Sequence, residues 1–491
     1  MLDIVLYIVF LFGSFVSEIP TVILMLFFTT LLWSFDLVRF EDIQQGLVNE
    51  GLITLMIAIV LTKAFSKAFF IEKFVLYLNY KIKNYNLFIG LFLLMVILVS
   101  SVLANTIVFM IFMPFLIIYC QNYNLPITKY ILPLSYASIL GGVLTMIGTT
   151  NNLVLNTFLQ EKLKFFEITQ ISFLPAILGF IYLLIIYKFI PKNLYKSQEN
   201  EIYRIQCKNL FGDSFLIGDF LEKRFLPFTD TDQNLIHANE TIEISLDVGQ
   251  IKFQLEIFES KTGYLYIGNN DCSSDIIGYT LDGECLYFNN HKINYAIPFM
   301  KLNSLTYLQK IIVGTSFILF IIGQILNKGV LFGFYSLLLN WMFRTMSFQE
   351  IMDSLNLNLY FLIAFSFPIG VYIENSVLST FLRSFMDKNI LATLCIIVFF
   401  SCLFSELITN PSSAIIMYYI TRKVTIISPK TCILAILMGT NSCFMNPNTY
   451  PTHILAKEHV PIPNIFFICY GFFLNVMNCI CSVALLYLLK L

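Results

Sequence analysis

Apolar runs long enough to cross a lipid bilayer recur along this chain from Ile4 onward. Lipid offers no water to pair with backbone N–H and C=O groups, so a run of this kind folds as a helix whose hydrogen bonds are internal. The composition agrees, because 57% of the residues are hydrophobic and only 12% are charged, unlike a soluble globular protein. We therefore predict an all-α polytopic membrane protein, with membrane halves at residues 1–191 and 305–491.

A polar insert separates the two halves at residues 192–304. Residues 242–246 and 251–257 alternate apolar with polar side chains, which is typical of half-buried strands. We expect a small soluble, strand-rich α+β domain in this insert. Basic residues at its two junctions, among them Lys192 and Lys301, favour a cytoplasmic position by the positive-inside rule.

Short polar stretches interrupt the apolar runs of each half in the same order. In the first half, Ser100–Thr106 is followed by Gly148–Asn152; in the second half, Ser405–Ser413 is followed by Gly439–Ser442. Broken backbone is tolerated at membrane depth only where it lines a cavity or is buried in protein. A pair of breaks in corresponding places of two halves indicates the binding site of a secondary transporter.

Asn105 and Asn410 occupy matching positions in these stretches, where we expect a hairpin to turn back within the membrane. Helix ends at such a turn leave N–H groups that favour anions and carbonyl groups that hold Na⁺. Amide and hydroxyl side chains add donors and acceptors without burying a charge. For one stretch alone, a helix cap or an interhelical hydrogen bond is the better interpretation. The matched pair favours a binding site.

Two further features of the second half carry open alternatives. Glu406 is a carboxylate within a break, and such a group either tunes cation or proton binding or lies in water at the hairpin mouth. The stretch Cys443–His453 contains Pro447 and Pro451 and cannot continue a membrane helix. We expect it to line the same cavity, with a turn outside the membrane as the alternative.

The remaining reactive residue types indicate no enzyme. The eleven cysteines include no Cys-x-x-Cys pair, and the four histidines are scattered. No nucleophile–base or metal-ligand pattern occurs, so we expect no cofactor beyond a coupling ion. The net charge of −1 gives no indication of a nucleic-acid partner.

Three stretches together resemble the divalent anion/sodium symporter family. Asn105–Asn156, which includes ILPLSYASILGGVLTMIGTTNNLVLN, is similar to its first-half signature. SELITNPSSAIIM at 405–417 and SCFMNPNTYPTHI at 442–454 are similar to its second-half signatures. Residues 215–221 and 275–281 resemble the TrkA C-terminal-type domain that some bacterial permeases of this family carry as an insert.

The resemblance implies a homodimer built of two inverted repeats, with re-entrant hairpins, discontinuous helices and a substrate site that moves by an elevator motion. It implies one Na⁺ site at Ser100, Ala104, Asn105 and Gly148, and a second at Ser405, Thr409, Asn410 and Ser442. It implies substrate contacts from Asn105, Thr106, Thr149, Asn410 and Pro447.

The chain departs from the family's Ser-Asn-Thr triplets at two positions. Ala104 stands at the first position of one triplet, and Pro411 stands at the last position of the other. Ala104 removes a hydroxyl group, while Pro411 removes both a hydroxyl group and an amide donor. These losses make tight dicarboxylate recognition less certain and favour a compact oxyanion such as sulfate.

The sequence thus predicts Na⁺-coupled symport of a small divalent anion, sulfate or dicarboxylate, in a plasma or inner membrane. Within transport, the alternatives are metalloid-oxyanion efflux and Na⁺/H⁺ exchange, for which Glu406 matters. From another class, the alternative is a membrane sensor whose insert reads a ligand. The expected partners are the small anion, the lipid bilayer and a second copy of the chain.

Overall fold

The computed structural model describes the membrane-spanning parts of both halves and six separate strands. The described residues are 21–68, 85–122, 125–191, 242–248, 251–259, 264–269, 276–279, 285–288, 293–298, 305–460 and 462–489. The predicted apolar runs before residue 21 and at 68–80 fall wholly or mainly outside the described residues, as does most of the insert.

The described part of the first half is helical throughout its regular elements, with short breaks between them. Its helices are α1 (Thr21–Ser34), α2 (Phe40–Leu47), α3 (Glu50–Ala68), α4 (Tyr85–Ser100), α5 (Asn105–Asn122), α6 (Thr128–Gly142), α7 (Thr150–Asn156) and α8 (Thr169–Ile186).

The second half repeats this order of long helix, hairpin, broken helix and closing helix. Its helices are α9 (Tyr307–Ile325), α10 (Gly329–Met342), α11 (Phe348–Ser354), α12 (Leu357–Glu374), α13 (Val377–Phe385), α14 (Ile390–Leu407), α15 (Asn410–Thr421), α16 (Pro429–Thr440), α17 (Pro451–His459) and α18 (Asn464–Leu488).

Six described segments are long and apolar enough to cross a membrane by length and composition. They are Phe40–Phe65, Thr169–Ile186, Tyr307–Ile325, Leu357–Glu374, Ile390–Leu407 and Asn464–Leu488. Several expose apolar side chains along their length, for example Ile318 and Ile322 in α9. Such faces suit lipid and not water. The predicted helical, multi-pass membrane architecture is confirmed at this level.

In the sequence, the strands fall between the two helical halves. They are β1 (Ile242–Val248), β2 (Ile251–Glu259), β3 (Tyr264–Asn269), β4 (Ile276–Tyr279), β5 (Cys285–Phe288) and β6 (Ile293–Pro298). β1, β2, β3 and β6 pair antiparallel in that order, and β4 pairs with β5. The domain boundaries at 191/192 and 304/305 and the α+β domain stay predictions, because much of the insert lies outside the described residues.

A helical hairpin and a broken helix pack together in each half. In the first half, α4 and α5 form the hairpin, and α4 packs along α6. In the second half, α14 and α15 form the hairpin, and α14 packs along α16. α6 and α16 end inside the protein and resume as α7 and α17 after a stretch of irregular backbone. We name residues 143–149 the first break and residues 441–450 the second break.

Local chemistry explains where the hairpins turn. Asn105 begins α5 after a short turn, and Asn410 begins α15 one residue after Thr409. Pro411 occupies the first turn of α15, where its missing N–H costs no helical hydrogen bond. The same proline cannot continue α14, so the chain reverses there. The tips of both hairpins are therefore set by the sequence itself.

Candidate functional site

Ser100 joins the two arms of the first hairpin to α6. Its Oγ lies 2.8 Å from Asn105 Oδ1 and 2.7 Å from the Ser138 carbonyl oxygen. Ser100 is fully buried, and Asn105 is 5% exposed. Three oxygen atoms thus meet at the C-terminal end of α4, where the helix dipole favours positive charge.

Two glycines allow the first break to approach this cluster. A Cβ at Gly142 would overlap the Asn105 carboxamide, and a Cβ at Gly148 would overlap the Gly142 carbonyl group. The close contacts bring Gly148 and Asn105 into one neighbourhood, as the proposed first cation site requires. Ala104 and Thr106, on either side of Asn105, are half-buried.

Two thiol groups join the second hairpin to the second break. Cys402 Sγ donates to the Ser442 carbonyl oxygen at 3.1 Å, and Cys443 Sγ donates to the Ser405 carbonyl oxygen at 3.3 Å. Ser405 and Ser442 are both fully buried. The structure therefore brings these two predicted cation-site residues together. Thr409, the residue before Asn410, shares a hydrogen bond of 3.0 Å with the Ser412 hydroxyl group.

Glu406 binds the backbone of the second break. Its carboxylate accepts hydrogen bonds from the N–H groups of Met445 at 2.9 Å and Asn446 at 2.7 Å. The side-chain amide of Asn475 in α18 donates to the same carboxylate at 2.6 Å. Glu406 is 7% exposed, so the open-water position at the hairpin mouth does not describe it. Its contacts hold an irregular segment in place, and a cation or proton role stays a prediction.

The end of α16 contacts the first residues of α7 from the opposite half. Asn151 Nδ2 donates to Thr440 Oγ1 at 3.3 Å and to Asn441 Oδ1 at 3.2 Å. Asn441 Nδ2 donates in turn to Asn152 Oδ1 at 3.3 Å. All four side chains are 1% exposed or less. The two halves therefore meet through buried amides at the start of the second break.

The end of the second break contacts the first half in a similar way. The Tyr450 hydroxyl oxygen accepts a hydrogen bond from Asn105 Nδ2. Ser135 Oγ in α6 lies 2.9 Å from Thr452 Oγ1 and 2.7 Å from His453 Nδ1. The opposite ring nitrogen of His453 lies 3.2 Å from the Cys443 carbonyl oxygen. The second break is thus held at both ends by residues of the first half.

Asn410 and Thr149 keep polar atoms without a hydrogen-bond partner among the described residues. These atoms are both carboxamide atoms of Asn410 and the Thr149 hydroxyl oxygen. Asn410 is 3% exposed and Thr149 is 7% exposed. A buried polar group without a partner costs about 1–3 kcal/mol, so such groups in a native protein point to a ligand or water. α15, which begins at Asn410, packs against α7, which begins after Thr149.

The chemistry of the site is that of neutral oxygen and nitrogen groups at helix ends. The stretches 100–106, 143–152 and 405–413 and the second break contain no Lys or Arg, and Glu406 is their sole acidic residue. Hydroxyl, carboxamide and carbonyl oxygens at the C-terminal ends of α4 and α14 suit Na⁺. The N-terminal ends of α5 and α15 favour an anion. The described residues include no group of three or more His, Cys, Asp or Glu side chains that fits another metal ion.

Sequence analysis omitted residues that the structure places at the centre of these contacts. Asn151, Asn152, Asn441 and Tyr450 lie within the polar stretches of the two halves, but the sequence assigns them no role. Pro447, which was given one, is buried within the second break. A usable signal was present, since Gly148-Thr149 and Thr449-Tyr450 both precede a helix after a break. The internal repeat thus extends from the hairpin tips to the residues that precede α7 and α17.

The family of the chain follows from its match to a protein-family model. The model of the CitMHS family, described as citrate transporter, matches residues 4–439. The chain belongs to the citrate transporter family. As a member of this family it is an integral, multi-pass membrane transporter and not an enzyme, as the sequence predicts. The match supports the predicted class of protein, while the finer resemblance to the divalent anion/sodium symporter family and to the TrkA C-terminal-type insert stays a prediction.

Individual relatives of this citrate transporter family member match over short stretches. An uncharacterized transporter, sll0640, of Synechocystis sp. is 35% identical over 91 residues, which are 18% of this chain and 15% of the relative. Sodium/sulfate cotransporter 2 of Chlamydomonas reinhardtii is 34% identical over 106 residues, 19% of this chain and 12% of the relative. The uncharacterized transporter YfbS of Escherichia coli is 27% identical over 106 residues, 21% of this chain and 17% of the relative. The chain thus covers less than a fifth of the length of each.

Proposed function

We propose that the protein takes up a small divalent anion together with Na⁺, with sulfate as the first candidate. The observation that carries this proposal is the buried carboxamide of Asn410, whose donor and acceptor both lack a partner among the described residues. It stands at the N-terminal end of α15, where the helix dipole favours an anion. Because the breaks contain no Lys or Arg, Na⁺ must supply the positive charge that balances the substrate.

The proposed cation sites lie beside this anion position in each half. Ser100 and Asn105 offer side-chain oxygens at the end of α4. Ala104 lies at the hairpin tip, and Gly148 lies in the first break. Ser405, Thr409 and Ser442 offer the corresponding oxygens in the second half. Asn410 then belongs both to a cation site and to the substrate site, and Asn105 belongs to the other cation site. Na⁺ and the anion therefore stabilise each other, which couples their transport.

Sulfate is preferred over a dicarboxylate for two reasons. Three relatives carry the name sodium/sulfate cotransporter, one of them qualified as probable. Ala104 and Pro411 lack the hydroxyl groups that the Ser-Asn-Thr triplets would offer to a second carboxylate. A compact tetrahedral anion needs fewer donors spread over a shorter distance. Citrate, to which the family name refers, is larger still.

We also propose that the two halves are inverted repeats that act by an elevator motion within a homodimer. Supporting contacts lie at the two ends of α8. Asn86 at the start of α4 contacts Tyr187, just after α8 ends, whereas Lys430 at the start of α16 pairs with Glu167, just before α8 begins. Since α8 spans the membrane, the two hairpins open toward opposite faces. The TrkA C-terminal-type insert at 192–304 belongs to the same proposal as a cytoplasmic domain.

Uptake by purified protein in liposomes tests the proposal. We expect accumulation of labelled sulfate when an inward Na⁺ gradient is imposed, and a rate at least about tenfold lower when choline or K⁺ replaces Na⁺. Unlabelled sulfate, succinate and citrate compete in parallel assays to rank the substrates. Absence of any Na⁺-dependent anion uptake would contradict the proposal. Uptake driven by a proton gradient alone would favour the exchange alternative instead.

A further inference from the structure

Two N-cap residues occupy equivalent positions at the ends of the two breaks. Thr149 precedes α7, and Tyr450 precedes α17. Both have extended backbone conformations, and neither side chain caps its own helix. They lie 301 residues apart in the sequence.

The residues that follow confirm that these positions correspond. At the same spacing, Asn151 and Thr452 each hydrogen-bond to the opposite half, at Thr440 and Ser135. The next residue of each helix contacts its own break. Asn152 donates to the Thr145 carbonyl oxygen at 2.8 Å, and His453 lies 3.2 Å from the Cys443 carbonyl oxygen.

The equivalent positions nevertheless differ in what their hydroxyl groups reach. The long side chain of Tyr450 reaches the Asn105 carboxamide and accepts its N–H. The short side chain of Thr149 has no hydrogen-bond partner among the described residues, and neither has Asn410, the counterpart of Asn105. One hairpin tip is therefore bound by the protein itself, while the other leaves its donor and acceptor to a ligand.

We propose that Tyr450 is the residue that determines which anions the site accepts, an inference that rests on the proposed anion transport. Its hydroxyl group lies against Asn105, so we place its ring where the second end of a long substrate would extend. Its hydroxyl oxygen accepts from Asn105, so its own proton remains to be donated to an oxygen of the anion. That donor replaces the hydroxyl groups lost at Ala104 and Pro411.

The structure thus assigns the anion an asymmetric position. It binds to Asn410 and Thr149 on one side and to the Tyr450 hydroxyl group on the other. A compact tetrahedral oxyanion such as sulfate is the substrate that we expect to bridge these two sides. A dicarboxylate or citrate extends into the space that the tyrosine ring occupies.

Two substitutions separate the hydroxyl group from the ring. Tyr450→Phe keeps the ring and removes the donor, so we expect the KM for sulfate to rise about tenfold or more without new uptake of succinate. Tyr450→Thr gives the second break the residue of the first, and we expect the ratio of succinate to sulfate uptake to rise about tenfold. Tyr182→Phe is a matched control, because it removes a hydrogen bond to the Tyr470 carbonyl oxygen in α18, away from the breaks. Melting temperatures measured without anion show whether each variant is folded.

Unchanged KM in Tyr450→Phe together with unchanged selectivity in folded Tyr450→Thr overturns the inference. Wild-type protein that transports succinate or citrate as well as sulfate overturns it without any variant, while Na⁺-coupled anion transport stands. Wild-type protein that takes up none of the three anions overturns the proposed function and this inference together. Uptake of each labelled anion by the wild type separates a failure of this inference from a failure of the proposed function. Sulfate uptake together with succinate or citrate uptake overturns the inference alone, whereas no uptake of any of them overturns both.

Discussion

At the residue scale, the two hairpin-tip asparagines have the same chemistry and different surroundings. Asn105 receives a hydrogen bond from Ser100 and donates one to Tyr450. Asn410 has no such partner among the described residues, although it is equally buried. Asn105 therefore contributes to the stability of the fold as well as to a cation site. Asn410 carries a buried polar group without such a partner among the described residues, as we expect of a substrate ligand.

Parallel alanine variants test this difference. Asn410→Ala removes no protein hydrogen bond, so we expect a melting temperature near that of the wild type and an uptake rate at least about tenfold lower. Asn105→Ala removes two hydrogen bonds worth about 1 kcal/mol each, so we expect a lower melting temperature as well as lost uptake. The two variants delete the same atoms and control for each other. Wild-type uptake by Asn410→Ala would refute its assignment as a substrate ligand.

At the element scale, the second break is held in shape by a carboxylate from the neighbouring hairpin. Glu406 is in the last turn of α14, and its two oxygens accept from consecutive backbone N–H groups at Met445 and Asn446. An irregular segment inside a membrane protein has no helical partners for such groups. The charge is thereby used to fix the backbone that leads to Tyr450. The same hydrogen bonds explain how a carboxylate, which is costly to bury in a membrane protein, is accommodated here.

Glu406→Gln distinguishes this role from proton coupling. A neutral amide turns an NH₂ group toward one of the two backbone donors, which costs about 1–3 kcal/mol. We expect a lower melting temperature and slower uptake, with a pH profile of the same shape as in the wild type. Glu374→Gln is the matched control, because Glu374 is equally buried and pairs with Arg422 and Lys423 at the end of α12. A pH dependence lost in Glu406→Gln at normal stability would instead support Na⁺/H⁺ exchange.

At the scale of the whole molecule, residues of the first half hold both ends of the second break. Asn151 of the first half binds Thr440 and Asn441, and Asn105 binds Tyr450 of the second half. The second break is therefore completed only by packing against the first half. A site that joins residues of both halves moves as one unit in the proposed elevator motion.

The proposed inverted repeat predicts that the open ends of the two hairpins are accessible from opposite faces of the membrane. Lys129 lies near the end of α8, and Lys423 lies near the end of α15. Cysteines introduced at these two positions should react with a membrane-impermeant thiol reagent from opposite faces. Lys162 lies in the loop before α8, where it pairs with Glu50. We therefore expect Lys162→Cys to react from the same face as Lys423→Cys. The experiment uses whole cells and inverted vesicles, with the exposed Cys395 and Cys469 replaced by serine. Reaction of Lys129→Cys and Lys423→Cys from one face would refute the inverted repeat.

Local sequence determined the helical membrane class and the location of the breaks, because apolar runs, prolines and glycines act within a few residues of themselves. It also identified Asn105 and Asn410 as a matched pair. It did not reveal that one is bound by Tyr450 and the other is left without a partner, because Asn105 and Tyr450 are separated by 345 residues. Only the packing of one half against the other brings such residues together. The tertiary structure therefore decided which hairpin tip remains free for a ligand.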